Sequence, residues 1–289
     1  MSRIEEALKK ASQLRGREEE KPERGIPSGP VVGGAPTHDL SLAPRKEIPQ
    51  EVLDRVAGQH MLVSLNDIVS PAAEEFRKLK QNLVRLTKKK GFQNTIVITS
   101  GTVGEGKSVT STNLAISLAQ EFDHTVLLVD ADLRKPSCHE LLCMDQTYGL
   151  SDCLLEGSDV SSAIIRTGIG KLSFLPAGTP MANPGELLAS QRMATVLREM
   201  KERYSDRFLI IDTPPVLPFA ETRILARLAD MVVLVVREQR LSKYELNETL
   251  EALSGANVAG AVFTQASRGH SAAGYSGYAH YSYKYSYNA

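Results

Sequence analysis

Residues 95–108 read TIVITSGTVGEGKS. The first six carry no charge and hold a continuous branched apolar run, Ile96 to Ile98, the composition of a strand buried on both faces. The next eight, Gly101 to Ser108, fit G-x-x-x-x-G-K-[S/T]. Glycines at these positions let successive backbone N–H groups curl around phosphate oxygens. A helix opening at the lysine adds partial positive charge. Lys107 is expected to reach the terminal phosphates, and the Ser108 hydroxyl to ligate Mg²⁺. The expected nucleotide contacts are Gly104, Glu105, Gly106, Lys107, Ser108 and Val109. A chance glycine-rich turn is the alternative, but a strand before the loop and a helical pattern after it argue against one.

Outward from this loop, strands and helices alternate. The pattern predicts a helix over 107–121, a strand at 126–130 (VLLVD) and a strand ending near Pro176. It continues with a helix over 185–204 and strands at 208–212 (FLIID), 231–236 (MVVLVV) and 260–264 (GAVFT). Further helices are expected at about 221–229 and 242–254. Strands apolar on both faces and separated by helices predict an α/β fold: a mostly parallel sheet flanked by helices on both faces. Upstream, Ser70-Pro71 reads as an N-cap and first helical residue, with Phe76, Leu79, Leu83 and Leu86 as the inward stripe.

Two strand ends carry carboxylates. Asp212 closes FLIID before Thr213-Pro214-Pro215, at the sheet edge where such folds bind ligands. Asp130 and Asp132 in LLVDADLRKP lie two apart, so an extended chain turns both to one side. Like charges so close need a cation or a proton between them. One base and one Mg²⁺-associated acceptor is the economical reading. Arg134 and Lys135 follow; they either reach a phosphate or a neighbouring subunit, or line a solvated loop.

The 34 basic and 34 acidic residues cancel, which removes any global electrostatic case for nucleic acid. No apolar run approaches the roughly 18 residues that span a bilayer. The N-terminus MSRIEEALKK lacks the apolar centre of a signal peptide. Cys138, Cys143 and Cys153 fit no metal-ligand spacing and read as reduced thiols. Residues 1–15 predict an amphipathic helix, with Ile4, Ala7, Leu8, Ala11 and Leu14 on one stripe, and 16–64 a flexible linker. At the other end, Tyr275, Tyr278, Tyr281, Tyr283, Tyr285 and Tyr287 fall within the last fifteen residues. That tail, 267–289, has no Leu, Ile, Val or Phe and cannot bury enough apolar surface to order itself. Its exposed phenols need a purpose.

TSGTVGEGKS, VLLVDADLRKP, FLIIDTPPVL and AGTPMANPGELLAS, together with the tyrosine tail, resemble the bacterial tyrosine kinases of exopolysaccharide and capsule synthesis. The likeness covers roughly residues 65–289, with 65–266 as the P-loop kinase domain. It implies a ParA/MinD-like P-loop NTPase fold, ATP and Mg²⁺ as cofactors, and autophosphorylation of the six tail tyrosines in trans. Asp130, with Lys107 and Asp132, would serve catalysis by helping to activate the incoming hydroxyl. Ser108, Asp132 and Asp212 would support Mg²⁺. The family's ring-forming E-x-x-R-x-x-R helix corresponds to Glu74, Arg77 and Lys80, where lysine replaces the last arginine. The resemblance further implies a membrane polysaccharide co-polymerase as activator, a tyrosine phosphatase, and a cytoplasmic location at the inner face of the plasma membrane through that partner. A ParA/MinD-type ATPase without kinase activity is the alternative. Those ATPases carry a second lysine early in the loop, where this chain has Thr102.

Overall fold

The computed structural model describes residues 49–87, 93–203 and 206–266. Seven strands form one sheet: β1 (Thr95–Ser100), β2 (Thr125–Asp130), β3 (Ile165–Arg166), β4 (Leu172–Leu175), β5 (Arg207–Asp212), β6 (Met231–Arg237) and β7 (Val258–Thr264). Their order is β3-β4-β2-β5-β1-β6-β7. All pairings are parallel except the two-residue β3, which runs antiparallel to β4. The expected parallel α/β sheet is therefore present, and β3 is the one strand its local sequence did not announce.

The central strands are buried on both faces because each face packs on helices. Val97, Leu127, Leu209 and Ile211 belong to one apolar cluster. Ile96, Ile98, Leu128 and Ile210 belong to the other. Each such side chain contributes about 1.5–3 kcal/mol when fully buried. These two cores hold the strand tips rigid, and the tips carry the candidate site.

Four helices bear on that site: α1 (Gln50–Ala57), α2 (Val63–Asn66), α3 (Pro71–Thr87) and α4 (Lys107–Ala119). Ser70 caps α3 as expected, its Oγ accepting from the Ala73 N–H at 3.1 Å. Leu83 of α3 is buried, with Phe76, Leu79 and Leu86 packed beside it. The linker expected over 16–64 ends earlier than its composition suggested. α1 and α2 are ordered helices within it, and Val56 and Leu62 are 1% and 0% exposed. The reason is tertiary. Asn113 of α4 accepts from Ser64 N at 2.9 Å and donates to Met61 O at 2.8 Å, pinning this stretch to the loop helix.

The remaining helices follow as α5 (Cys138–Leu141), α6 (Leu150–Glu156), α7 (Gly185–Leu188), α8 (Gln191–Glu202), α9 (Ala220–Leu228) and α10 (Lys243–Ala252). The single helix expected over 185–204 is broken at Ser190. Its Oγ accepts from Met193 N at 3.1 Å and donates to Leu187 O at 2.7 Å, ending α7 and capping α8. The expected helix over residues 1–15, the linker to residue 48 and the tail 267–289 lie outside the described residues. Among the described residues no helix is long and apolar enough to cross a membrane.

Candidate nucleotide and phosphotransfer site

The loop between β1 and α4 curls as its glycines require. Gly104 and Gly106 sit at φ of 79° and 93°, where a side chain would be strained. Lys107 opens α4 and is 8% exposed; Val109 follows within the first turn. Glu105 is 1% exposed, and its carboxylate is taken up inside the protein. Oε1 accepts from Thr102 N at 2.5 Å and Thr102 Oγ1 at 2.9 Å, while Oε2 accepts from Arg237 N at 3.2 Å. The Glu105 side chain thus shapes the loop whose backbone N–H groups are the expected phosphate contacts. Arg240 Nε donates to Val103 O at 3.2 Å, and Thr264 Oγ1 to Glu105 O at 2.7 Å. Nothing local in TSGTVGEGKS announces these two clasps, because their donors stand more than a hundred residues downstream.

Asp212 ends β5 directly beside this loop. Its Oδ2 accepts from Ser108 Oγ at 2.6 Å, and its Oδ1 lies 2.8 Å from Ser111 Oγ. Ser137 Oγ in turn donates to Ser108 Oγ at 2.8 Å. Ser111 and Ser137 were not anticipated. Ser111 lies one helical turn past Lys107 on the same face, a spacing that could have revealed it.

Asp130 ends β2 and is Asp212's partner across the ladder. It has no exposure to water. Oδ1 accepts from Asp132 N at 3.1 Å; Oδ2 accepts from Ser137 N and Cys138 N at 3.1 and 3.0 Å. Burial, and next the charge of Asp212, pushes its pKa up to about 8. Burial likewise raises Asp212, against the opposing pull of the Lys107 ammonium. Asp132 lies nearer the surface, 8% exposed, with Oδ1 accepting from Lys135 N at 3.0 Å. Spacing calls for one base and one Mg²⁺-associated acceptor, and the resemblance gives Asp130 the activating role and Asp132 the Mg²⁺; Asp130 lies at the floor of the site and Asp132 nearer its surface.

Asp130, Asp212 and the Cys138 thiol place ligand atoms within 4.8 Å of one another. Burial and the two carboxylates raise the Cys138 thiol well above its ordinary range, so it stays protonated. Hard oxygen donors therefore dominate the cluster, which fits Mg²⁺.

Arg134 is partly open to solvent but held by the protein itself. Its Nε donates to buried Glu221 Oε1 at 2.7 Å, its Nη1 to Ala182 O, and its guanidinium lies 4.6 Å from the Phe219 ring centre. Lys135 is exposed. On α3, Glu74 and Arg77 are half-exposed and paired with each other. Lys80 is turned inward instead, its Nζ 3.2 Å from Glu121 Oε1 with 14% of its side chain exposed. That pairing distinguishes Lys80 from Glu74 and Arg77, which pair with each other. The six tail tyrosines lie outside the described residues.

A parallel sheet, a phosphate-binding loop and paired carboxylates on neighbouring strand tips define a P-loop nucleotide-dependent enzyme. Residues 93–257 match a family described as AAA domain. The tyrosine-protein kinase YwqD of Bacillus subtilis (strain 168) is 34% identical over 196 residues, spanning 68% of this chain and 81% of that protein. The chain belongs to the bacterial tyrosine-protein kinases. Among solved structures, the chimerical protein CapA2B2 is similar at TM-score 0.65 and 33% identity, covering 70% of this chain and 88% of that one. The kinase domain of Escherichia coli tyrosine kinase ETK is similar at TM-score 0.65 and 29% identity, covering 71% and 82% respectively.

Proposed function

We propose that this chain is a Mg-ATP-dependent autokinase that phosphorylates its own tyrosine tail, between copies, in the control of exopolysaccharide or capsule production. The observation that carries the reading is the hydrogen bond from Ser108 to Asp212, with Asp130 buried beside it and Lys107 next in sequence. A loop hydroxyl and two carboxylates thus meet, and the Lys107 charge acts on Asp212 beside them, which supports the reading.

In this reading Lys107 and the loop N–H groups hold the phosphates. Ser108, Asp212 and Asp130 hold Mg²⁺, whose chemistry is neutralisation of phosphate charge. The tyrosine oxygen attacks the γ-phosphorus as the bond to the β–γ bridging oxygen breaks and ADP leaves. A phenol has a pKa near 10, so its proton needs an acceptor. Asp132, bordering the cleft, takes it. Asp130 is too enclosed to meet the hydroxyl and acts on the charge balance beneath it.

Glu74 and Arg77 supply the exposed face for self-assembly into a ring, without Lys80. A membrane polysaccharide co-polymerase as activator and a tyrosine phosphatase as antagonist complete the proposal, with the chain held at the inner membrane face through its partner. A hydrolysing ATPase is the second reading, and Thr102 in place of a second loop lysine weighs against it.

Incubation of the purified chain with Mg-ATP, followed by mass-spectrometric mapping of phosphotyrosine, tests the proposal. Label on Tyr275 to Tyr287 that disappears in Lys107→Met supports it. ATP consumption with no tyrosine label supports the ATPase.

A further inference from the structure

β7 ends the sheet, and among the described residues no strand pairs with its outer edge. Thr264 O accepts from Glu238 N of the β6 side, so the peptide groups of Thr264 face inward. Two-residue alternation then turns those of Ala261 and Phe263 outward. The strand, VAGAVFT, carries no charge and no proline, the devices that usually guard an open edge. Phe263 is 67% exposed, and a side chain at Gly260 would meet nothing.

The chain continuing from this strand holds a matching segment. In YSYKYSY, residues 281–287, tyrosines alternate with Ser282, Lys284 and Ser286. Extended, this places four phenols on one face. The segment has the seven-residue length of β7. Residues 265–280 connect the two, with Gly269, Gly274 and Gly277 among them. Sixteen residues suffice to turn the chain back along β7, and closure cost rises only slowly with loop length.

We propose that residues 281–287 add to the outer edge of β7 of the same chain as an antiparallel strand while unphosphorylated. The tyrosine face packs on Phe263 as an aromatic cross-strand contact. Tyr275 and Tyr278, in the connection, stay available. Release of the strand rests on the kinase reading above. Each phosphate brings about −1.5 to −2 charges, and like charges on alternate residues of one face repel.

Hydrogen–deuterium exchange with mass spectrometry on the full chain, without nucleotide, tests the docking separately from catalysis. The amides of Ala261 and Phe263 should exchange at least about tenfold slower than in a chain ending at Gly274. Ala261→Pro removes an outward N–H without breaking the β6 ladder, and should free residues 281–287 to exchange. Phe263→Asp should do the same by another route. Equal exchange with and without the tail overturns the proposal. Protection that grows with protein concentration also overturns it, assigning the edge to a second copy's tail. After phosphorylation in Mg-ATP the protection should vanish, and retention overturns the release step. Absence of any phosphotyrosine refutes the kinase reading while the edge result stands.

Discussion

Asp130 and Asp212 stand opposite each other at the tips of adjacent parallel strands, both without exposure to water. Each is bound on its outer side, Asp130 by backbone N–H groups and Asp212 by hydroxyls. What neither fully offsets is the other's charge. Burial, and next the charge of Asp212, push Asp130 up to about 8, which favours a proton on its carboxyl where the proposed function puts a cation.

This makes stability depend on pH in a defined direction. The folded protein keeps a proton at Asp130 that an unfolded carboxylate near 3.8 has released. Stability from this group is complete below about pH 4 and is lost as the pH rises toward 8. Thermal melts without Mg²⁺ should show Tm falling between about pH 5 and 8. Asp212→Asn removes the repelling charge yet keeps a partner for Ser108. It should flatten that slope and raise Tm at pH 8, by about 2–4 °C per kcal/mol recovered. The same variant should lose stabilisation by Mg-ATP. A wild-type Tm that rises with pH over this range contradicts the pairing.

Asp132 and Asp130 should separate kinetically. A positioned proton acceptor contributes about 10²–10⁴-fold. Asp132→Asn should lower the rate of tail phosphorylation within that range while nucleotide affinity changes little. Asp130→Asn should instead weaken Mg²⁺ dependence and nucleotide binding together. Rapid-quench rates paired with equilibrium nucleotide titration would show it. Equal behaviour of the two variants would contradict this division of roles.

Arg134 is structural. Its removal leaves Glu221, 3% exposed, as a buried charge without its partner. Breaking a buried pair costs about 3–5 kcal/mol, and the lower figure applies because Arg134 is partly open to solvent. Arg134→Ala should therefore unfold at lower urea than wild type, and Arg134→Ala with Glu221→Gln should recover most of the loss. A double variant no better than the single one refutes the account.

The fold was legible because its signals are local. TIVITS, VLLVD, FLIID and MVVLVV each carry their burial in their own composition, and the glycine spacing of the loop marks the turn it makes. α1 and α2 were not legible: α2 is held by Asn113, about fifty residues away in sequence, and Val56 of α1 is buried in the core beside α4. The break at Ser190 was readable in principle, as a serine capping the residues after it. At the site, motifs named Lys107, Ser108, Asp130, Asp132 and Asp212. Spacing placed the aspartates of DADLRKP on one side but could not give their depth, which depends on how the chain turns at Ser137 and Cys138. The inward turn of Lys80 depends likewise on Glu121, just past α4.

Glu105 offers the sharpest test of how the loop is kept ready. Its carboxylate joins Thr102 at one end of the loop to Arg237 at the end of β6. The loop therefore need not be ordered by the nucleotide, and the entropy of ordering it is already met before binding. Glu105→Ala deletes both links and leaves two N–H groups without that acceptor. ATP affinity should fall about tenfold, equivalent to about 1.4 kcal/mol. Glu105→Gln keeps an acceptor for Thr102 but sets an amide against the Arg237 N–H, so its affinity should lie between. Because Lys107, Ser108 and the aspartates are untouched, the phosphorylation rate at saturating ATP should drop much less than kcat/KM. Steady-state kinetics on the three proteins decide it: a loss confined to kcat, with unchanged KM, would move Glu105 from shaping the loop to acting on the transferred phosphoryl group.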